Sequence, residues 1–269
     1  APYFPEYAVF ATVAGGVLRV CPCDPVTLLP DTDALLALIG ERTRGVIVNS
    51  PNNPSGVVYS RETLEKISEC LTARSRQIGH TVYLISDEPY RELVYGGREV
   101  PYLPALYRET VICYSYSKSY SLPGDRIGYV LVPPSCDDAA GLLRAVAGAA
   151  RTLGHVCAPS LMQHVIGAVP DAAPDLAFYD RNRQTLLRGL RDLGYEPVPP
   201  DGAFYLLLRA PGGDAPAFSD AAKREGLLIV PCDGFGLPGY LRLAYCVAPE
   251  VIDRALVQFL NIRRKNCNS

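Results

Sequence analysis

TVICYSYSKSYSLPGDRIG, Thr110 to Gly128, is the stretch on which the reading of this sequence turns. It opens with a short apolar run, Thr110–Tyr114, whose β-branched and aromatic composition is that of a buried strand. The run ends in hydroxyls, and among them stands Lys118. Lysine is normally exposed, so a lysine at the end of a buried strand is unusual. Its pKa shifts readily on burial, and that makes the amine usable for a Schiff base. The plain alternative is a surface lysine in a polar loop, and the strand patterns on either side count against it. Ser115 and Arg126 bring a hydroxyl and a guanidinium, both suited to phosphate oxygens.

Working outward, Gly45–Asn49 (GVIVN) reads as a strand buried on both faces, Thr81–Ser86 (TVYLIS) as another, and Ile127–Val132 as a fourth beside Thr110–Tyr114. Val17–Cys21 reads as a further strand. Helical patterns lie between them: Asp31–Gly40, capped by Asp31 or Thr32, and Ser60 to about Arg76, with Glu62 and Thr63 in the first turn. This alternation predicts an α/β fold, a mostly parallel sheet flanked by helices. The pattern changes after about Pro170. Asp175–Leu193 is a long amphipathic helix ending at Gly194. Short apolar runs at Ala203–Leu208, Leu227–Val230 and Tyr240–Cys246 follow, with helices at Ala215–Arg224 and from Glu250. They predict a smaller C-terminal α+β domain. Residues 1–170 then form the large domain and 171–269 the small one, with the boundary in Pro170–Pro174.

Composition narrows the function. The chain has 269 residues, 48% of them hydrophobic and 20% charged, with a net charge of -2. That balance gives no pull toward nucleic acid or an anionic membrane. No apolar stretch has the length of a membrane span, and the start lacks a signal-peptide pattern. Arg263, Arg264 and Lys265 read as a solvated tail. Nine cysteines are spread along the chain. Cys21 and Cys23 are too closely spaced for a zinc knuckle and no second pair answers them; the three histidines show no ligand spacing. Reduced thiols, no metal and a cytoplasmic location follow. The chain opens on Ala1 without Met, which reads as a chain cut from something longer.

In open α/β sheets ligands sit beyond the carboxyl ends of the strands. Three more polar clusters fall there. Asn49–Gly56 (NSPNNPSG) is a rigid turn whose amides can donate to a ligand oxygen; alone, it is as readily a plain turn. Asp87 and Tyr90 follow TVYLIS and can point at one ligand, although an acid there also serves as a helix cap. Arg242 stands inside an apolar strand, so it meets either an internal carboxylate or the carboxylate of a substrate.

Together these clusters resemble the class I/II aminotransferases of the aspartate aminotransferase superfamily, fold-type I pyridoxal-phosphate (PLP) enzymes. The family pattern Asn-Pro-x-Asn-Pro-Thr-Gly is met by Asn49 to Gly56, with Ser50 inserted and Ser55 for Thr; Asp-x-x-Tyr by Asp87 and Tyr90; Ser-x-Ser-Lys-x-x-x-Leu-Pro-Gly-x-Arg-x-Gly by Ser115 to Gly128. The late arginine strand is met by Arg242, preceded by Gly234-Phe235-Gly236. The resemblance implies the fold-type I large domain, with Lys118 as the Schiff-base and proton-transfer lysine. Asp87 is then the partner of the pyridine nitrogen. Asn53 and Tyr90 donate to the ring's phenolic oxygen, Ser115 and Arg126 hold the phosphate, and Arg242, with Asn53, receives the substrate. Phe4 falls where the family stacks an aromatic on the ring, with Tyr3 the competing choice.

The reaction implied moves an amino group from an L-amino acid to a 2-oxo acid, in a homodimer when full length. The family has a further N-terminal portion that helps bind phosphate and reaches the neighbouring subunit, and neither feature is in this sequence. A second substrate arginine has one candidate by position, Arg151, which reads equally as a surface residue. The same motifs also serve PLP lyases acting at Cβ, and a non-catalytic ligand-sensing domain or a fragment would carry them too.

Overall fold

The computed structural model describes residues 1–267. In chain order its first part comprises α1 (Glu6–Val13), α2 (Thr32–Leu38), β1 (Gly45–Asn49), α3 (Arg61–Ile78), β2 (Tyr83–Asp87), β3 (Thr110–Ser115), α4 (Tyr116–Ser119), β4 (Gly128–Leu131), α5 (Ala139–Thr152) and α6 (Ser160–Ala168). The strands form one sheet in the order β1-β2-β3-β4. β1, β2 and β3 run parallel, and β4 is antiparallel to β3. Local chemistry sets the helix ends. The Asp31 carboxylate accepts from the amides of Asp33 and Ala34 to start α2. Ser60 accepts from the Thr63 amide to start α3, which stops at Gly79 in the left-handed conformation. Leu35 of α2, Ile39 just after it, and Leu64, Ile67 and Leu71 of α3 cluster with Leu84 of the sheet.

The second part comprises α7 (Leu176–Asp192), β5 (Pro197–Val198), β6 (Tyr205–Arg209), α8 (Ala215–Arg224), β7 (Val230–Pro231), β8 (Tyr240–Ala244) and α9 (Pro249–Cys267). Its sheet, β5-β6-β8-β7, is antiparallel throughout. Leu186, Leu190, Leu206, Leu208, Leu241 and Phe259 form its core.

The sequence expectations need four corrections, one of them in the small domain, where the run Leu227–Val230 yields only the short β7, Val230–Pro231, with Leu228 81% exposed. Val17–Cys21 is not a strand: among the described residues no strand pairs with it, the nearest bridge joining Cys23 to Pro30 beyond its end, and Val17 is 87% exposed. β1 is not covered on both faces, since Ile47 is exposed. β4 is exposed along its whole length rather than buried, and it reverses direction. α1, α5 and α6 stand where the strand-centred reading marked no element.

A main-chain strap joins the two sheets. The Gly56 carbonyl accepts from the amides of Asp201 and Gly202, the Leu93 carbonyl accepts from Ala203, and the Asp201 carbonyl accepts from Tyr95. Gly56 has φ +70°, and a Cβ there would overlap Pro200 and stand 2.9 Å from the Gly202 carbonyl oxygen. Gly79 has a similar φ, +76°, with nothing within 4 Å of a Cβ. Backbone strain alone therefore acts at Gly79, and strain plus collision at Gly56. We expect Gly79→Ala to cost about 1 kcal/mol and Gly56→Ala about 3 kcal/mol. Urea unfolding of both variants checks this, and equal losses would contradict it.

Candidate functional site

Strand register gathers the site. Asn49 pairs with Asp87, and Asp87 with Cys113, so the carboxyl ends of β1, β2 and β3 lie level and the segments that follow share one edge. The turn after β1 is folded by its own amides. Asn49 Nδ2 donates to the Asp87 carbonyl at 2.9 Å, while its Oδ1 accepts from the Asn53 amide at 2.7 Å. Asn52 Oδ1 accepts from Ser55 Oγ at 2.8 Å. Asn49, Asn52, Asn53 and Ser55 are all buried.

The Asp87 carboxylate accepts a hydrogen bond from the Tyr7 hydroxyl. Burial raises its pKa, and the Tyr7 bond opposes the rise. Burial, with Asp87's charge next, holds the Tyr7 phenol firmly protonated. Phe4 packs edge-on against Tyr7, ring centres 5.7 Å apart. Tyr7 is not among the candidates that the sequence singles out. Its signal is its spacing: three residues after Phe4, at the start of a helix, it faces the same way.

Tyr90 is 3% exposed, and its hydroxyl donates to the Tyr205 hydroxyl at 3.3 Å. Burial again keeps it protonated. Its ring lies edge-on to Phe204 and Tyr205, at 5.4 and 5.9 Å.

Lys118 sits in the single turn of α4, half-buried, with Nζ 5.4 Å from the centre of the Phe204 ring. Ser115 caps this turn by accepting from the Ser117 amide, and its hydroxyl donates to Ser117 Oγ at 2.8 Å. Ser119, next to Lys118, lies 2.8 Å from the Tyr114 hydroxyl, which donates to Glu92 Oε1 at 2.8 Å. The turn carrying the lysine is thus pinned at both ends.

Arg242, on β8, donates from Nη1 to Asn53 Oδ1 at 2.9 Å. Its guanidinium lies 4.4 Å from the ring centre of Tyr205 and 4.8 Å from that of Phe235. Of the two partners open to it from sequence, an internal carboxylate is not there: among the described residues it makes no ion pair.

Asn53, Tyr90 and Arg242 are therefore brought together, as are Asp87 and Phe4 through Tyr7, with Lys118 nearby on Phe204. Ser115 and Arg126 are not joined. Arg126 is exposed, with φ +53°, and its Nη1 donates to the Pro123 carbonyl at 2.9 Å. Arg151 lies exposed in the last turn of α5. Phe204, Tyr205 and Phe235 complete the site; Phe235 lies in the Gly234-Phe235-Gly236 stretch that carries part of the resemblance, while neither Phe204 nor Tyr205 stands out in the sequence as a site residue. Strand alternation was the available signal, since Tyr205 and Leu207 share a face of β6 and Leu207 pairs with Arg242.

A family model described as aminotransferase class I and II matches residues 1–259. The chain is 31% identical to an aspartate/prephenate aminotransferase of Thermus thermophilus over 97% of its own length and 68% of the relative's. It is similar to the crystal structure of an amino transferase from Eubacterium rectale, at 51% identity and TM-score 0.94, over 98% of this chain and 67% of that one. It is also similar to an aspartate aminotransferase from Thermotoga maritima, at 26% identity and TM-score 0.85, covering 100% of this chain and 68% of that one.

Proposed function

This chain belongs to the class I and II aminotransferases, which are PLP-dependent, and on that premise we propose how its residues share the transfer of an amino group from an L-amino acid to a 2-oxo acid. One observation carries the assignment. Lys118, Asp87 and Arg242 stand at one edge of the fold, and among the described residues none has an ion-pair partner. Uncompensated charges at a site are costly unless a ligand answers them.

The donor set fits PLP. A buried carboxylate whose partner is a neutral phenol, Asp87 with Tyr7, suits a protonated ring nitrogen. Tyr90 and Asn53 suit the phenolic oxygen and the amine of Lys118 the aldehyde carbon; Ser115 and Arg126 are of the types that suit the phosphate, although here Ser115 is engaged with Ser117 and Arg126 with the Pro123 carbonyl. Phe4 supplies a ring to stack. When bound, PLP supplies an electron sink for the bond broken at the substrate's Cα. The chain's residues do the rest. Asp87 keeps the ring nitrogen protonated. Arg242 grips the substrate's α-carboxylate, and Asn53 orients the guanidinium that does so. Lys118 Nζ takes the proton from Cα and returns it to the reacting system.

The same reading includes a large domain of residues 1–170, a small domain of residues 171–269, a homodimer and a cytoplasmic location. The two separate sheets support the division. Leu143 of α5 and Leu161 of α6, 53% and 72% exposed, support a further packing surface. Among the described residues no helix is long and apolar enough to cross a membrane.

The test is to add PLP to the purified chain and record its visible absorption, alone and with a panel of amino acids. We expect a band that borohydride traps at Lys118 and that an amino acid bleaches. A chain that gives no band would overturn the assignment of these residues.

A further inference from the structure

Two tyrosines of the small sheet's core use their hydroxyls as buried tyrosines commonly do, on main-chain carbonyls: Tyr95 on Ala203 and Tyr195 on Phe259. Tyr205 does not. Its hydroxyl meets the hydroxyl of Tyr90, at 3.3 Å, and no other group among the described residues. Its ring faces the Arg242 guanidinium at 4.4 Å. Register explains the second contact. Tyr205 pairs with Ala244 and Leu207 with Arg242, so Tyr205 and Arg242 are diagonal neighbours on one face of β6 and β8. The first contact crosses to the other sheet's side of the site, where Tyr90 follows β2. One residue therefore touches both a group assigned to the cofactor's phenolic oxygen and the group assigned to the substrate's carboxylate.

We propose that Tyr205 is a positioning residue that couples carboxylate capture at Arg242 to the hydrogen bond that Tyr90 gives the cofactor. The proposal rests on the site assignment above. When Tyr90 turns its proton to the phenolic oxygen, its own oxygen is free to accept from Tyr205. That return bond makes Tyr90 a stronger donor. The guanidinium on the ring face of Tyr205 draws electron density from the phenol and strengthens it as a donor in turn. A carboxylate on Arg242 cancels that charge, so substrate arrival relaxes the Tyr205–Tyr90–cofactor chain. The hydroxyl and the ring of Tyr205 thus have separable tasks: the hydroxyl acts on Tyr90, and the ring supports Arg242.

The experiment uses the PLP-loaded protein and two readouts that need no turnover. They are the pH midpoint of its visible band and the affinity for succinate and 3-phenylpropionate, carboxylates without an amino group. Tyr205→Phe keeps the ring and loses the hydroxyl. It is expected to raise the midpoint by about half a pH unit, the effect of one hydrogen bond, and to leave carboxylate affinity within about twofold. Tyr205→Leu loses the ring as well and is expected to weaken carboxylate affinity about tenfold. In a Tyr90→Phe background the midpoint shift of Tyr205→Phe should vanish, because the hydroxyl acts through Tyr90. A Tyr205→Phe midpoint equal to wild type would overturn the proposal, as would a shift that persists undiminished without the Tyr90 hydroxyl. A wild-type protein with no visible band would instead overturn the site assignment, and the proposal with it.

Discussion

Lys118→Ala lowers amino-group transfer by at least about 10⁴-fold, the upper range of what one positioned acid–base group contributes. The expectation comes from how narrowly the lysine is held. Its helix is a single turn, capped by Ser115 and tied through Ser119 and Tyr114 to Glu92. Its Nζ stands over the face of Phe204, with no carboxylate to neutralise it among the described residues. No other lysine, histidine or carboxylate of the site stands in for it. Asp87 is occupied by Tyr7, and Tyr90 is held protonated by burial. Lys118→Arg should fail nearly as badly, since a guanidinium stays charged at any working pH and cannot take up a proton. Single-turnover mixing of PLP-loaded variant with an amino acid measures the loss. Added methylamine should restore part of the rate in the alanine variant by standing in for the missing amine. A loss of under tenfold would move the base to another residue.

Arg242→Leu is the second large effect, a fall in kcat/KM of about 10²–10³, corresponding to loss of a charge-assisted clamp of roughly 3–4 kcal/mol. The loss should lie mostly in KM, because the carboxylate is held in the ground state as well as in the transition state. Arg242→Lys is expected to recover little. A compact ammonium cannot at once reach Asn53 and fill the slot between Tyr205 and Phe235 that the flat guanidinium occupies. Steady-state kinetics across a series of amino acids, with the corresponding amines lacking a carboxylate as controls, checks both variants. If amines and amino acids lose activity equally, Arg242 serves the fold rather than the substrate.

The sequence carried the chemistry of the site further than its assembly. Lys118, Asp87 and Arg242 are legible because each breaks a local rule: a lysine, an acid and an arginine in or directly after apolar strands. Tyr90 follows by spacing from Asp87, and Asn53 comes from the family resemblance of Asn49 to Gly56. Tyr7, Phe204 and Tyr205 break no rule, since aromatics in apolar segments are what a core requires, and only the packed structure separates them from filler. Strand register was the missing knowledge. Until Leu207 is known to face Arg242, nothing in the run Ala203–Leu208 distinguishes Tyr205 from its neighbours. Among the elements, α2, α3, α7 and α8 were readable from caps and amphipathic period. Val17–Cys21 misled because β-branched composition favours a strand without providing one to pair with. Ser115 and Arg126 share no side-chain contact among the described residues: hydroxyl and guanidinium types announce an affinity for phosphate, while their orientation is set locally, that of Ser115 by Ser117 and that of Arg126 by the Pro123 carbonyl.

The strap between Gly56 and Pro200–Gly202 bears on anyone recombining this chain with its relatives. A crossover placed at the sequence boundary near residue 170 would take residue 56 from one parent and residues 200–203 from the other, although these positions share three of the main-chain hydrogen bonds with each other and with Leu93. A parent with any side chain at the equivalent of Gly56 would not accept this Pro200. Chimeras should therefore treat residues 51–56, 93–95 and 200–203 as one inherited block, exchanged together or not at all, even though more than a hundred positions separate its ends in the sequence.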